Sequence, residues 1–438
     1  MSKTNKNTMD MTHGTLWNKI LIFALPLAAS SILQQLFNSI DTAVVGRFAS
    51  SQALAAVGSN SSLIALMINL FIGISLGSNV VIAHYIGQRS EKNIQAAIHT
   101  AIVVALVSGI FVMIFGQFIA KPVLSLMGTP DDVIDLAVVY LRIYLLGMPF
   151  IMLYDFGSSI LRSTGDSRRP LYSLIVAGVI NTVLNLVLVI GFKMGVSGVA
   201  IATVISNMVS SGIIVYILTH ESAPIRLEFR KLAVAPAELK KILVIGVPAG
   251  IQGMMFSIAN VCIQSAINSF GSDAVAGFGA YLKVDGFNIL PIMSFSMAAT
   301  TFVGQNFGAG KIDRVKKGTF VTLGMCIVYT ILTGILLLVF QDSIMHLFTG
   351  DETVIAYGKI CMLYFCPFYW MLGILQGLAG TVRGTGKSVP PMVVLLLSLC
   401  LFRVAWIQFI LPFFHSIEGV FVLYPVSWGL GAVLMVLY

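Results

Sequence analysis

The stretch Lys19-Ile-Leu-Ile-Phe-Ala-Leu-Pro26 returns in the second half of the chain as Lys241-Ile-Leu-Val-Ile-Gly-Val-Pro248. Three more pairs follow in the same order, Leu54–Gly58 with Val275–Gly279, Ile86–Gln88 with Val303–Gln305, and Arg162–Ser167 with Arg383–Ser388. Similarity in register at several places is hard to obtain by chance in apolar sequence. The pattern therefore predicts that the chain is built from two repeats.

Composition places the chain in the membrane class. Of its 438 residues, 57% are hydrophobic and 10% are charged, whereas soluble domains average about 25% charged residues. The formal net charge of +8 comes from basic residues spread over short loops, with no basic and aromatic patch, which argues against nucleic-acid binding. The five cysteines lie in apolar runs without metal-ligand spacing and are interpreted as small apolar filler.

Apolar runs long enough to cross a bilayer occur twelve times. The expected fold is an all-α polytopic membrane protein, with twelve transmembrane helices as two six-helix bundles related by a pseudo-two-fold axis along the membrane normal. The predicted domains are an N-terminal bundle at 1–220, a cytoplasmic linker at 221–239 and a C-terminal bundle at 240–438. The predicted spans are 16–45, 53–83, 94–119, 133–161, 170–191, 197–219, 240–269, 275–303, 318–341, 354–381, 389–412 and 417–438.

The distribution of basic residues predicts the orientation. Most of the 26 Lys and Arg residues, Lys3 and Lys6 among them, fall in loops on the side that holds the N-terminus. Only Arg47, Lys121 and Lys193 fall in loops on the other side. Because cytoplasmic loops are enriched in Lys and Arg, both termini are expected in the cytoplasm, with the protein in the cell (plasma) membrane.

One carboxylate stands out in the first span. Asp41, within Asn38-Ser-Ile-Asp41-Thr-Ala-Val-Val-Gly46, lies well past the middle of a segment that is otherwise free of acid. An ionisable group at membrane depth costs about 2.5–3.5 kcal/mol on insertion scales, and such a group suggests a function. The alternative is a helix end already among the lipid headgroups, since Arg47 follows closely.

Short motifs on this doubled frame resemble one family. In order and at these spacings, the chain looks like a multidrug and toxic compound extrusion (MATE) transporter of the bacterial DinF-like branch. That resemblance implies two six-helix bundles around a central cleft, with substrate expelled in exchange for inward flow of Na⁺ or H⁺. The motifs are Pro26, Asp41–Gly46, Tyr85–Gln88, Leu161–Asp166, Asn181–Asn185, Gly198–Thr203 and Val303–Gln305.

The resemblance implies a cation-coupling site at Asp41, Asn181, Asn185 and Thr203. Asn181 and Asn185 are four residues apart and share a helix face. The four side chains together offer only oxygen ligands, which suit Na⁺ and also a proton held on Asp41. Position 185 often carries Asp in the family, so the Asn here leaves one carboxylate. The alternative for each asparagine is interhelical hydrogen bonding alone.

Further residues are predicted in the substrate cleft and at a hinge. The cleft candidates are Gln34, Asn38, Asp155 and Arg403. Arg403, the repeat mate of Thr182, either adds positive charge to the cleft or pairs with Asp285 in the membrane. Asp155 either faces the cleft or pairs with Arg162.

The hinge candidate and the missing second acidic site complete the residue predictions. Pro26, the repeat mate of Pro248, either lets the first helix bend or forms a static kink. The positions that are acidic in the family's other branch are occupied in this sequence by Phe256 and Leu372, so a second acidic site is not expected.

The leading functional hypothesis is a secondary-active efflux antiporter for amphipathic or cationic small molecules, coupled to Na⁺ or H⁺. The alternative is a flippase of a lipid-linked precursor. No metal spacing or nucleophile motif supports an enzyme, and no cofactor is expected. The expected partners are small-molecule substrates and the lipid bilayer, not nucleic acid, and the expected state is a monomer.

Overall fold

The computed structural model describes residues 8–414 and 416–438, so Lys3 and Lys6 lie outside the described part. Within it, eleven helices are long and apolar enough to span a membrane, and one bent helix pair supplies a twelfth candidate span. These spans coincide with the twelve apolar runs of the sequence, which confirms the predicted all-α polytopic fold.

The α-helices are numbered in chain order. They are α1 Leu16–Phe48, α2 Ser51–Gln88, α3 Glu91–Leu126, α4 Ile134–Leu146, α5 Met148–Ser163, α6 Arg168–Asn185, α7 Gly195–Thr219, α8 Pro236–Asn268, α9 Ser272–Gly308, α10 Ile312–Val339, α11 Gln341–His346, α12 Glu352–Phe365, α13 Tyr369–Gly384, α14 Val389–Leu395, α15 Phe402–Ala405, α16 Glu418–Phe421 and α17 Leu423–Leu437. Three further segments are π-helical, Leu186–Gly191, Leu396–Leu401 and Trp406–Ile410, and short 3₁₀ turns lie at Phe229–Lys231, Cys366–Phe368 and Leu411–Phe413.

The fourth predicted span is bent and not a single straight helix. Its two parts, Asp131–Leu146 and Met148–Ser163, meet at 47°. Pro149 lies in the first turn of α5 and has no backbone N–H to continue the hydrogen-bond ladder of α4. The apolar run at 133–161 predicts one span, but the run alone does not reveal the bend.

The described chain divides into two compact units. Unit 1 comprises the residues up to Asp10 and Ala29–Gly250, and unit 2 comprises Met11–Ala28 and Ile251–Tyr438. Helices α1 and α8 are each divided between the units. The boundary between the units follows Ala28 in α1 and Gly250 in α8, two residues after Pro26 and Pro248. The predicted domain boundaries, which follow the sequence repeats, assign these two half-helices differently and stay a prediction.

The first half of α1 belongs to the core of unit 2. Ile20 and Phe23 are fully buried in a hydrophobic cluster with Phe302 of α9. A hydrogen bond also holds the segment that precedes the helix, because the Arg314 side chain donates through Nε to the Met11 carbonyl oxygen at 3.1 Å. Apolar packing and these hydrogen bonds explain why this half-helix clusters with unit 2.

In unit 1, α2 and α8 cross through paired glycines. A Cβ added at Gly73 would lie 2.1 Å from the backbone nitrogen of Gly250. One added at Gly77 would lie 2.8 Å from the backbone nitrogen of Gly246. Glycines four residues apart on both helices let the two backbones touch, which is a common way to pack helices in membranes.

Candidate functional site

The site in unit 1 depends on close packing between α1 and α6. A Cβ at Gly178 would lie 1.9 Å from Cε2 of Phe37, so the aromatic ring rests directly on the α6 backbone. Asp41 lies one helical turn after Phe37, and Asn185 lies two turns after Gly178. The glycine therefore lets α1 come close enough for the carboxylate to reach the end of α6.

Asp41, Asn185 and Asn181 form one hydrogen-bonded chain. Asn185 Nδ2 donates to Asp41 Oδ1 and also to Asn181 Oδ1, the second at 3.2 Å. Asn185 is fully buried, Asn181 is 5% exposed and Asp41 is half-buried. The carboxylate therefore points towards α6, where a buried amide donates to it.

Helix α7 joins this chain through a serine. Asn181 Nδ2 donates to Ser206 Oγ at 3.5 Å, and Ser206 Oγ donates to the Thr203 carbonyl oxygen at 2.9 Å. The Thr203 hydroxyl itself donates to the Val199 carbonyl oxygen at 3.0 Å. Sequence reasoning missed Ser206. Its position one turn after Thr203 could have indicated that it shares a face of α7.

The oxygen atoms of this cluster suit a hard monovalent cation or a proton. Asn185 Oδ1 is buried and has no hydrogen-bond partner, and Asp41 carries the only carboxylate of the chain of contacts. Buried polar atoms are normally satisfied, so a free carbonyl oxygen beside a carboxylate is a place where a cation can bind. Among residues 8–414 and 416–438, no group of three or more His, Cys, Asp or Glu could hold a metal ion.

A π-helical segment, Leu186–Gly191, begins directly after Asn185. π segments often occur at functional sites because they interrupt the regular ladder of an α-helix. The end of α6 is therefore irregular at the residue that contacts Asp41. The apolar sequence of this segment carries no signal for the irregularity.

The remaining candidates in unit 1 lie on α1 and α5. Gln34 and Asn38 are exposed on α1, on the turns before Asp41. Asp155 is half-buried on α5, the same helix that carries Arg162. The roles of these three residues in a cleft stay predictions.

Pro26, the predicted hinge, lies inside α1, which continues without a break from Leu16 to Phe48. It is half-buried and belongs to the part of the helix assigned to unit 2. Its role in bending also stays a prediction.

In unit 2, Arg403 is buried on the short helix α15. It is 1% exposed, its Nε donates to Ser427 Oγ at 3.0 Å, and its guanidinium carbon lies 4.5 Å from the ring centroid of Tyr424. Within the described chain no ion pair joins Arg403 to Asp285, so the salt bridge considered from the sequence is not formed.

Asp285 has tyrosine partners that the sequence does not reveal. Tyr369 and Tyr281 both donate hydroxyl hydrogen bonds to Asp285 Oδ1, the second at 3.3 Å. The positions expected for the other branch's acids, Phe256 and Leu372, carry no carboxylate, and Leu372 is buried. The half-buried carboxylate of Asp285 lies at a different position, on α9.

Comparison with known proteins agrees with this architecture. The MatE family model matches residues 26–187 and 248–407. The two ranges begin at Pro26 and Pro248, the paired prolines of the repeat. The fold is that of a polytopic membrane transporter and not of an enzyme. The chain belongs to the MATE family, as the sequence motifs predict.

The matches to individual relatives and solved structures cover most or all of the chain. The probable multidrug resistance protein YoeA of Bacillus subtilis (strain 168) is 31% identical, covering 98% of this chain and 94% of its own length. The probable multidrug resistance protein YpnP of the same organism is 29% identical, covering 90% and 88%. A solved structure described as the outward-facing conformation of a multidrug resistance MATE family transporter has a TM-score of 0.93 at 22% identity, covering 100% of this chain and 97% of that one.

Proposed function

We propose that the protein is a secondary-active multidrug efflux antiporter that exports amphipathic or cationic small molecules in exchange for Na⁺ or H⁺. The observation that carries the proposal is the contact between Asp41 and the buried amide of Asn185 in unit 1. The names of the two Bacillus relatives, both probable multidrug resistance proteins, support the substrate class.

The coupling step follows from the cost of charge in a membrane. When Asp41 releases its cation or proton, the charged carboxylate retains one strong hydrogen-bond donor, the Asn185 amide. An uncompensated charge at membrane depth is expensive, so the packing of α1 around Asp41 depends on whether the site is loaded. Pro26 removes one hydrogen bond from α1 and makes bending of that helix easier. Loading of Asp41 thereby controls the shape of the helix that carries it.

Both ions fit the donor set. Na⁺ would be held by the Asp41 carboxylate, the amide oxygens of Asn181 and Asn185 and the Thr203 hydroxyl oxygen, whereas a proton needs the carboxylate alone. A site with one carboxylate balances one monovalent cation. The stoichiometry that follows is one cation bound per Asp41.

The protein is proposed to act as a monomer in the plasma membrane with both termini in the cytoplasm. The basic loops support this orientation, because cytoplasmic loops carry the excess of Lys and Arg. Labelling with an impermeant maleimide tests it. Lys121→Cys should react in intact cells and Lys316→Cys only after permeabilisation, and the reverse pattern would overturn the orientation.

The function is tested by dye efflux from proteoliposomes under an imposed Na⁺ gradient or an imposed pH gradient. The unaltered protein should expel a cationic dye under at least one gradient. Asp41→Asn should abolish gradient-driven efflux, because it removes the only charge of the site, while insertion and folding are kept. Asn268→Asp, an exposed side chain at the end of α8 that accepts from Gln264 at 3.0 Å, serves as a charge control outside the contact chain. Normal pumping by Asp41→Asn would show that the coupling assignment is wrong.

The second candidate is a flippase of a lipid-linked precursor. The observation that favours it is the buried positive charge of Arg403, which suits a phosphate group. The same vesicles distinguish the two functions. Gradient-dependent movement of a fluorescent lipid phosphate, without movement of the dye, would favour the flippase.

A further inference from the structure

Arg403 is a buried cation whose hydrogen-bonding capacity is only partly used. Its Nε donates to Ser427, and the Tyr424 ring covers one face of the guanidinium. The two terminal nitrogens, Nη1 and Nη2, are buried and have no hydrogen-bond partner. A guanidinium stays charged in proteins, so two unpaired donor groups at membrane depth are costly unless something else binds them.

Among the described residues of unit 2, no carboxylate accepts a hydrogen bond from Nη1 or Nη2 of Arg403. Asp285 lies close enough to Arg403 for an electrostatic interaction, but the two do not form an ion pair in the described chain. The carboxylate of Asp285 instead accepts hydrogen bonds from Tyr281 and Tyr369. The free edge of the guanidinium, formed by Nη1 and Nη2, therefore has no hydrogen-bonded carboxylate among the described residues.

The backbone around Arg403 is irregular on both sides. The π-helical segments Leu396–Leu401 and Trp406–Ile410 enclose the four-residue helix α15 that carries it. In the first repeat, a single π segment follows Asn185 of the cation cluster. Arg403 is the repeat mate of Thr182. The second repeat therefore carries a positive charge where the first repeat carries the amides of Asn181 and Asn185.

We propose that Arg403 recognises an anionic group, a carboxylate or a phosphate, on the transported molecule. The two parallel N–H groups of a guanidinium edge match the two oxygens of such a group. Because Arg403 is 1% exposed, the anion reaches it when the broken helix around it rearranges. The inference rests on the proposed export function and adds zwitterionic and anionic compounds to its substrates.

The test measures binding of two rhodamine dyes to the purified protein in detergent by fluorescence anisotropy. One dye carries a free carboxylate and the other is its ethyl ester, so the pair differs mainly in the anionic group. Arg403→Gln should weaken binding of the carboxylate dye about tenfold, as expected for loss of a charged hydrogen-bonded pair, and leave the ester within about threefold. Arg403→Lys should give an intermediate value for the carboxylate dye.

The control is Arg383→Gln, in the same unit. Both terminal nitrogens of Arg383 already donate, one to Ser296 Oγ at 2.8 Å and one to Gln252 at 3.5 Å. This variant should change binding of both dyes equally. An equal change for both dyes in Arg403→Gln would show a purely structural role and overturn the proposal. Absence of any preference of the unaltered protein for the carboxylate dye would also overturn it.

Two further measurements test whether Arg403 binds a different anion, a lipid phosphate or Asp285. If short-chain phosphatidylglycerol binds about tenfold more weakly to Arg403→Gln while the carboxylate dye binds the variant and the unaltered protein equally, Arg403 recognises a lipid phosphate and the substrate proposal is overturned. If the charge of Arg403 is instead neutralised by Asp285, the unaltered protein should show no preference for the carboxylate dye and Asp285→Asn should create one, which would overturn the proposal. No ion gradient is present in these measurements, so failure of the coupling mechanism cannot mimic failure of this inference.

Discussion

Asn185 sets the charge of the hydrogen-bonded cluster of Asp41, Asn181 and Asn185. It is fully buried and donates to Asp41, yet its own carbonyl oxygen has no partner. An amide at this position supplies a donor to the carboxylate and an acceptor to a cation without adding negative charge. The single charge of Asp41 therefore decides what the cluster can bind.

Asn185→Asp should strengthen the dependence of efflux on Na⁺. A second carboxylate about 4 Å from a bound cation would attract it by up to about 4 kcal/mol at an effective dielectric constant near 20. Desolvation offsets much of that gain, so we expect the Na⁺ concentration for half-maximal efflux to fall about tenfold. The measurement is a Na⁺ titration of dye efflux in proteoliposomes.

Asn268→Asp provides the comparison for this prediction. Asn268 is exposed at the end of α8 in unit 2 and accepts a hydrogen bond from Gln264, so the change adds the same charge outside the hydrogen-bonded chain of Asp41, Asn185, Asn181 and Ser206. Its Na⁺ titration should match that of the unaltered protein. Identical titrations for Asn185→Asp and the unaltered protein would place Asn185 outside the cation site.

At the residue scale, the sequence shows which residue types are unusual in an apolar helix, but not which side chains contact each other. Asp41 and Asn185 could be singled out because a charge and paired amides are unusual in apolar helices. The tyrosines that contact Asp285 could not be singled out, since tyrosine is common in membrane helices, and Ser206 is indicated only by its spacing from Thr203. Their importance depends on which helix faces meet, and that is a tertiary property.

The packing of α1 on α6 positions Asp41. The Phe37 ring occupies the space where a side chain at Gly178 would lie. Gly178→Ala should push the ring away and displace α1, with a cost of about 1–3 kcal/mol for overpacking. We expect the variant to insert and fold but to lose most of its gradient-driven efflux.

Gly212→Ala on α7 is the matched control, because a Cβ there meets nothing within 4 Å. A second variant, Gly178→Ala with Phe37→Leu, removes the clash and should recover much of the efflux. The packing argument fails if Gly178→Ala pumps as well as Gly212→Ala.

Helix boundaries were predictable, but helix irregularities were not. Apolar runs between polar loops define the spans, because an unsatisfied backbone cannot enter lipid. The bend between α4 and α5 and the π segments after Asn185 and around Arg403 lie inside those runs. Side-chain hydropathy does not distinguish an α-helix from a π-helix of the same composition.

For the whole molecule, the duplication was visible in the sequence and both matched ranges of the family follow it. The exchange of half-helices between the two compact units was not visible. The apolar run continues from Leu16–Ala28 into the rest of α1, yet the buried side chains of this first half pack with α9. In α1 and in α8 the exchange occurs just after a proline, where one missing backbone hydrogen bond makes the helix easier to bend.

The central claim is that Asp41 binds the coupling cation, and infrared difference spectroscopy of the purified protein tests it most directly. Addition of Na⁺, or a rise in pH without Na⁺, should change the carboxyl band of the unaltered protein. That change should be absent from Asp41→Asn and present in Asp155→Asn, which removes another carboxylate of unit 1. A spectrum of Asp41→Asn that still shows the full change on Na⁺ addition and on the rise in pH would contradict the account.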